Sequence, residues 1–162
     1  MEILIIGVIV VALMAYASTR IKKSAAAAFE SETVETAEFI IQKPEGFLNI
    51  VDPSPPYMFE AYSKEFGEGS ASKFKMGRAF LTTVNGEGGI QVPADLRVEV
   101  IDDVHYRIFE IERMETEVQF VEQFKIADKD GRHFEFRTTR ISNAPQEFIN
   151  KLEGMLDSFR LK

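Results

Sequence analysis

The sequence predicts an α+β protein in which an N-terminal transmembrane helix and a helical stalk precede an antiparallel β-sheet covered by a C-terminal α-helix. Three observations support this prediction. Residues 3–17 are uncharged and mostly apolar, the middle of the chain alternates apolar and polar residues, and residues 144–160 have the helical period. These features divide the chain into an anchor at 1–19, a juxtamembrane stalk at 20–37 and a globular domain at 38–162.

The composition excludes several kinds of site and partner. The 162 residues include no Cys, which excludes disulfides, thiolate zinc sites, iron–sulfur clusters and a Cys nucleophile. They include only two His, which excludes a three-His metal site within one chain. The formal net charge is −7, which argues against a nucleic-acid partner because phosphate contacts need a basic face.

The anchor prediction depends on the uncharged run between Ile3 and Ala17. With its neutral neighbours this run reaches about 17 residues, the lower limit for a spanning helix. The predicted membrane-anchor residues are Ile3, Leu4, Ile5, Ile6, Val8, Ile9, Val10, Val11, Leu13 and Met14. The alternative is a signal peptide cleaved near Ala17, since Ala15-Tyr16-Ala17 fits the cleavage pattern; Glu2 and the lack of an N-terminal cation oppose it.

Three cations after the span, Arg20, Lys22 and Lys23, set the predicted orientation. Lys and Arg flanking a span stay on the cytoplasmic side. We therefore expect a single-pass cell-membrane protein with a cytoplasmic globular domain, or an exported domain if the chain is cleaved.

The stalk is predicted to continue the membrane helix. Residues 24–37 contain four consecutive Ala and no Gly or Pro, and Ala is the best helix former. The glutamates of this run are interpreted as a solvated face.

The globular domain is predicted to begin with several strands. Residues 39–43, 74–84 and 96–101 fit strands, the last two joined by a glycine-rich turn at 85–89, while residues 57–66 fit a helix or a strand. Apolar residues fall on both faces of the next segment, which indicates a strand covered on both sides or a bulge. These residues are Tyr106, Ile108, Phe109 and Ile111.

A hairpin and a helix complete the predicted domain. Alternate residues Val118, Phe120, Phe124 and Ile126 share one face of a strand, opposite Gln119, Gln123 and Lys125. Asp130-Gly131 supplies the turn, after which Phe134 and Phe136 point inward and His133 is expected to be solvated. The helix at 144–160, capped by Ser142 or Asn143, presents one apolar stripe to the sheet: Phe148, Leu152, Met155, Leu156 and Phe159.

Short motifs at both ends of the domain carry a family resemblance. Residues 39–47, FIIQKPEGF, form a strand and a Pro-x-Gly-aromatic turn, and Ser158-Phe159 follows the last helix. Over residues 36–162 this pattern resembles the PsbP/Mog1-like proteins, a group that includes DcrB-like lipoproteins, although Phe47 stands where Trp is usual and the lipobox Cys is missing. The resemblance implies an α/β sandwich and no particular activity; an NTF2-like or cystatin-like domain is the runner-up.

No constellation predicts catalysis. Asp102 and Asp103 are interpreted as a hairpin turn with His105 opening the next strand, and a divalent-ion or acid–base site is the alternative. Asp128-x-Asp130-Gly131 lacks the twelfth-position Glu of a calcium loop. Strand arginines interspersed with glutamates are explained by cross-strand ion pairs, with a cationic patch for an anionic ligand as the alternative. These arginines are Arg97, Arg107, Arg113, Arg137 and Arg140.

The sequence therefore predicts a membrane-anchored, non-catalytic interaction domain, such as an accessory or assembly subunit of a larger membrane complex. Its expected partners are the lipid bilayer, through the N-terminal helix, and membrane proteins; no catalytic residue, cofactor, metal or nucleic acid is expected. The alternative is a small-molecule or lipid-binding domain with an apolar pocket between sheet and helix.

Overall fold

The computed structural model describes residues 13–18, 20, 26–63, 75–85, 92–115 and 117–162, which form two antiparallel sheets and a C-terminal helix at Gln146–Ser158. The strands are β1 (Glu32–Glu35), β2 (Phe39–Lys43), β3 (Phe47–Asn49), β4 (Tyr57–Ser63), β5 (Gly77–Asn85), β6 (Arg97–Ile101), β7 (Val104–Glu115), β8 (Val118–Lys129), β9 (Arg132–Ile141) and β10 (Arg160–Leu161). The smaller sheet has the order β1-β2-β10 and the larger sheet the order β3-β4-β5-β9-β8-β7-β6. The predicted α+β class is confirmed.

The main core lies between the larger sheet and the layer formed by the helix and the smaller sheet. We call the face of the larger sheet that meets this layer the inner face, and the opposite face the outer face. Phenylalanine rings fill the interface: the ring centroid of Phe136 lies 5.1 Å from that of Phe159 and 6.0 Å from that of Phe59. Each such burial contributes about 1.5–3 kcal/mol, so these rings dominate the core.

A second cluster covers part of the outer face. Phe109 and Phe124 stack there, with ring centroids 4.9 Å apart, and Val92 and Leu96 pack over them from the segment before β6. The strand pair β7–β8 keeps its register throughout. Of the two predicted alternatives, a bulge or a strand covered on both faces, β7 is therefore the second.

Several local predictions are confirmed. Phe134 and Phe136 are buried, and the β8–β9 turn places Asp130 and Gly131 at φ 53° and 73°, as a tight Asp-Gly hairpin requires. The undecided segment 57–66 forms strand β4 as far as Ser63, and residues 64–66 lie outside the described residues.

The helical stalk predicted for residues 20–37 is wrong at its C-terminal end. Residues 26–27 are helical, but Glu32–Glu35 form β1 and pair with β2 through registers such as Val34 with Ile41. Thr33 and Val34 are β-branched and suit a strand, and pairing with the adjacent β2 outweighs the helical preference of the alanines. Residues 21–25 lie outside the described residues.

The strands on either side of the predicted glycine-rich turn at 85–89 are β5 and β6, and β9, β8 and β7 lie between them in the sheet. Residues 86–91 lie outside the described residues. The predicted ends of the helix are corrected. The helix starts after Pro145 without a side-chain cap, so Ser142 and Asn143 do not cap it, and it ends at Ser158 because an extended Phe159 leads into β10.

Candidate functional site

An open groove lies on the outer face of the larger sheet, with a volume of about 260 Å³. We call it the outer-face groove. Its lining comes from β4, β5, β7, β8, β9 and the chain just before β5: Tyr57, Lys75, Arg78, Phe80, Arg113, Glu115, Phe120, Glu122, Arg137 and Thr139.

Strand register brings these residues together. Phe80 of β5 lies opposite Arg137 of β9, and Thr139 of β9 lies opposite both Arg78 of β5 and Glu122 of β8. Because alternate residues of a strand share a face, a row of outer-face positions crosses three central strands here. The groove therefore has a rigid floor of paired backbone.

Aromatic rings form one side of the groove. The ring centroids of Tyr57 and Phe80 are 5.1 Å apart, and the guanidinium carbon of Arg137 lies 5.5 Å from the Phe80 ring centroid. An Arg at this distance is attracted by the ring quadrupole. The pair provides an apolar surface beside a cation.

The described lining carries more positive than negative charge. Lys75, Arg78, Arg113 and Arg137 supply four cations and Glu115 and Glu122 supply two carboxylates, a net charge of +2 in a chain of net charge −7.

Glu122 organises two of these cations. Its side chain is only 9% exposed, and its Oε1 lies 3.4 Å from Nη2 of Arg113 and 3.9 Å from Nη1 of Arg137. Nε of Arg137 is buried and has no hydrogen-bond partner among the described residues. One carboxylate thus holds two guanidinium groups side by side without using all of their donors.

The structure separates the five arginines noted in the sequence. Arg113 and Arg137 lie in the groove, whereas Arg107, also on the outer face, pairs with Asp128 at 2.6 Å outside it. Arg97 pairs with Asp157 at the helix, and Arg140 lies 3.8 Å from Glu110. Cross-strand and sheet–helix ion pairs therefore account for the arginines outside the groove.

A second polar centre lies inside the protein at Lys125, which was predicted on a polar strand face. Its side chain is 0% exposed; Nζ donates to the Asp157 carbonyl at 3.1 Å and lies 3.6 Å from Glu99 and 4.9 Å above the Tyr106 ring centroid. Burial lowers the pKa of Lys125, while the Glu99 carboxylate opposes that shift. Because the ammonium group lies near the helix C-terminus, it fastens that end of the helix to the sheet.

The two histidines are placed differently from one another. His105 is exposed and follows the tight turn at Asp102-Asp103, where both aspartates have positive φ. The prediction that His133 is solvated is wrong: it is buried between β5 and β8, with Nδ1 2.7 Å from Oδ1 of Asp128. Within the described ranges no three His, Asp or Glu residues are arranged to hold a metal ion.

The predicted anchor is described only at its end. Residues 13–18 are helical, Leu13 and Met14 are 61% and 67% exposed, and Arg20 is exposed. Among the described residues no helix is long and apolar enough to cross a membrane. The predicted anchor residues between Ile3 and Val11, and the cations Lys22 and Lys23, lie outside the described residues.

The fold places this chain among known structures. No family model matches the sequence, and no curated protein matches it. A crystal structure from Bacteroides thetaiotaomicron is similar over 83% of this chain, with a TM-score of 0.54 and 11% identity; the chain spans about half, 49%, of that protein. The solution structure of the cyanobacterial PsbP (CyanoP) from Synechocystis sp. is similar over 82% of this chain and 92% of its own, with a TM-score of 0.51 and 7% identity. At these identities the likeness concerns the fold alone, and the chain has a PsbP-like fold.

Proposed function

We propose that this protein is a non-catalytic interaction domain, held at the cell membrane by its N-terminal segment, that serves as an accessory or assembly subunit of a larger membrane protein complex. The observation that carries this proposal is the outer-face groove. It combines exposed guanidinium groups with aromatic rings on a rigid sheet, the combination enriched where proteins bind proteins.

The N-terminal helix supports membrane attachment. Leu13, Met14 and Tyr16 are each more than three-fifths exposed, at 61%, 67% and 65%. Apolar side chains left in water are unfavourable, and a lipid environment removes that cost. With Arg20 on the cytoplasmic side, the domain and its groove face the cytoplasm in this proposal.

The alternative of an apolar ligand pocket between sheet and helix has less support. The rings of Phe47 and Phe148 stack at 5.4 Å, and Tyr106 meets Phe159 edge-on at 5.9 Å. Leu152 and Met155 of the helix are each 1% exposed. Side chains of the protein itself therefore occupy the space that such a ligand would need.

The test is to tag the full-length chain at its C-terminus, solubilise native membranes gently and measure the mass of the captured assembly. The proposal expects a defined assembly of fixed stoichiometry larger than the 18.4 kDa chain. An 18.4 kDa chain alone in the membrane fraction contradicts the subunit role. A shortened chain in the soluble exported fraction contradicts both the anchor and its orientation.

A further inference from the structure

We propose that the outer-face groove binds an acidic peptide segment of the protein partner, with carboxylate side chains on its arginines and an apolar side chain on the Tyr57–Phe80 surface. This inference rests on the proposed interaction function and specifies the chemistry of the partner.

The arginines of the groove have donors to spare. Nη2 of Arg113 contacts Glu115 at 3.1 Å and Glu122 at 3.4 Å, yet a guanidinium carries five N–H donors and the side chain is 51% exposed. Arg78 is also exposed, and no carboxylate pairs with it among the described ion pairs. A planar guanidinium fork matches the two oxygens of a carboxylate, so both residues can hold an acidic side chain.

The charge pattern selects a short anionic ligand over an extended one. The described lining has a net charge of +2, but the chain as a whole has a net charge of −7. A long polyanion such as a nucleic acid, or an anionic membrane surface, would meet repulsion beyond the groove. A short peptide whose few carboxylates all lie within the groove would not meet this repulsion.

The aromatic side of the groove selects a peptide over a bare anion. Tyr57 and Phe80 are half-buried, and their rings are tilted by 35° with centroids 5.1 Å apart, beside Arg137. Covering these rings with an apolar side chain removes apolar surface from water, which favours binding. An inorganic anion has no apolar side chain and cannot contribute this free energy. An acidic segment that contains an apolar residue satisfies both parts of a groove of about 260 Å³.

The experiment measures binding of a fluorescein-labelled probe peptide, Glu-Phe-Glu-Glu-Phe-Glu with blocked ends, to the full-length protein in a non-ionic detergent. Fluorescence anisotropy is compared with the same peptide carrying Gln for every Glu. We expect the acidic peptide to bind at least tenfold more tightly. Arg78→Gln and Arg113→Gln, both surface changes, should each weaken it at least fivefold, whereas Arg107→Gln, on the same face outside the groove, should leave it unchanged.

Three results would overturn the inference. They are equal affinity for the two peptides, undiminished binding by Arg78→Gln and Arg113→Gln, and displacement of the probe by millimolar inorganic phosphate but not by millimolar succinate. The last result would assign the groove to phosphate-bearing ligands. If the peptide fails to bind but the wild-type chain is captured in a larger assembly, the groove is not the peptide site and the proposed function stands. If the peptide binds but the chain is captured alone, the groove does bind acidic peptides and the proposed subunit role is contradicted.

Discussion

Gly77 at the start of β5 provides a test of how the helix rests on the sheet. A Cβ atom added there would lie 2.8 Å from Cε1 of Phe148 and 3.0 Å from Cδ1 of Leu152, closer than carbon atoms pack. Both side chains belong to the helix, and Phe148 stacks on Phe47 while Leu152 is 1% exposed. Gly77→Ala therefore forces the helix to shift or its side chains to leave their positions.

The magnitude follows from two opposing terms. Overpacking a core costs about 1–3 kcal/mol, and replacing Gly by Ala gains about 0.4–1 kcal/mol by reducing the entropy of the unfolded chain. The expected net loss is about 0.5–2 kcal/mol in the free energy of unfolding. Gly154→Ala is the matched control, because a Cβ at that exposed helix position meets nothing within 4 Å. It should stabilise the protein by about 0.5–1 kcal/mol.

Urea unfolding of the full-length chain in a non-ionic detergent, followed by far-ultraviolet circular dichroism, measures both changes. A double-mutant cycle sharpens the test: in a Phe148→Leu background, which removes the ring edge, Gly77→Ala should cost less by at least about 0.5 kcal/mol. If Gly77→Ala is neutral or stabilising, like Gly154→Ala, the helix does not approach β5 as described and the reasoning fails.

Three further predictions concern Lys125, Tyr106 and Glu122. Burial lowers the folded-state pKa of Lys125 below its usual 10.5, so between those two pKa values the unfolded chain binds more protons and stability rises with pH. Lys125→Met should flatten that rise in urea titrations as the pH increases towards 10.5, and an unchanged slope would contradict the assignment. Tyr106→Phe removes the hydroxyl that accepts from the Leu161 backbone N–H at 2.8 Å, so it should cost about 1–3 kcal/mol and speed amide exchange at Leu161, whereas Tyr62→Phe should do neither. Glu122→Gln keeps an oxygen that can accept from Arg113 and Arg137 but raises the net charge of the described lining from +2 to +3, so it should tighten acidic-peptide binding about fivefold in the anisotropy assay. Weaker binding would contradict the claim that positive charge in the groove attracts the peptide.

The sequence was most informative where structure depends on neighbours along the chain. The period of two placed Phe134 and Phe136 in the core, and Asp130-Gly131 marked the turn between β8 and β9. The same period was misleading for Lys125, because β8 is covered on both faces and its polar side meets the helix C-terminus. Whether the polar face of a strand is solvated depends on what packs against it. The alternation of apolar and polar residues along the strand does not show this.

The groove could be predicted only in part, for the same reason. Arg113 and Glu122 belong to one hairpin, and its register alone would have placed them as diagonal neighbours. Arg78 lies near Arg113 and Glu122 only because β9 pairs with both β5 and β8 in the sheet. No local sequence pattern predicts this strand order. Thr33 and Val34 are a third case, where pairing with β2 overrode an alanine-rich helical pattern.

In the proposed function, a membrane partner docks on the outer-face groove. The most direct measurement compares the mass of the assembly captured from native membranes for the full-length chain and for its Arg78→Gln/Arg113→Gln variant at equal expression. We expect a defined larger assembly for the unmodified chain and an 18.4 kDa chain alone for the variant. An assembly of the same mass and stoichiometry with both proteins would contradict it.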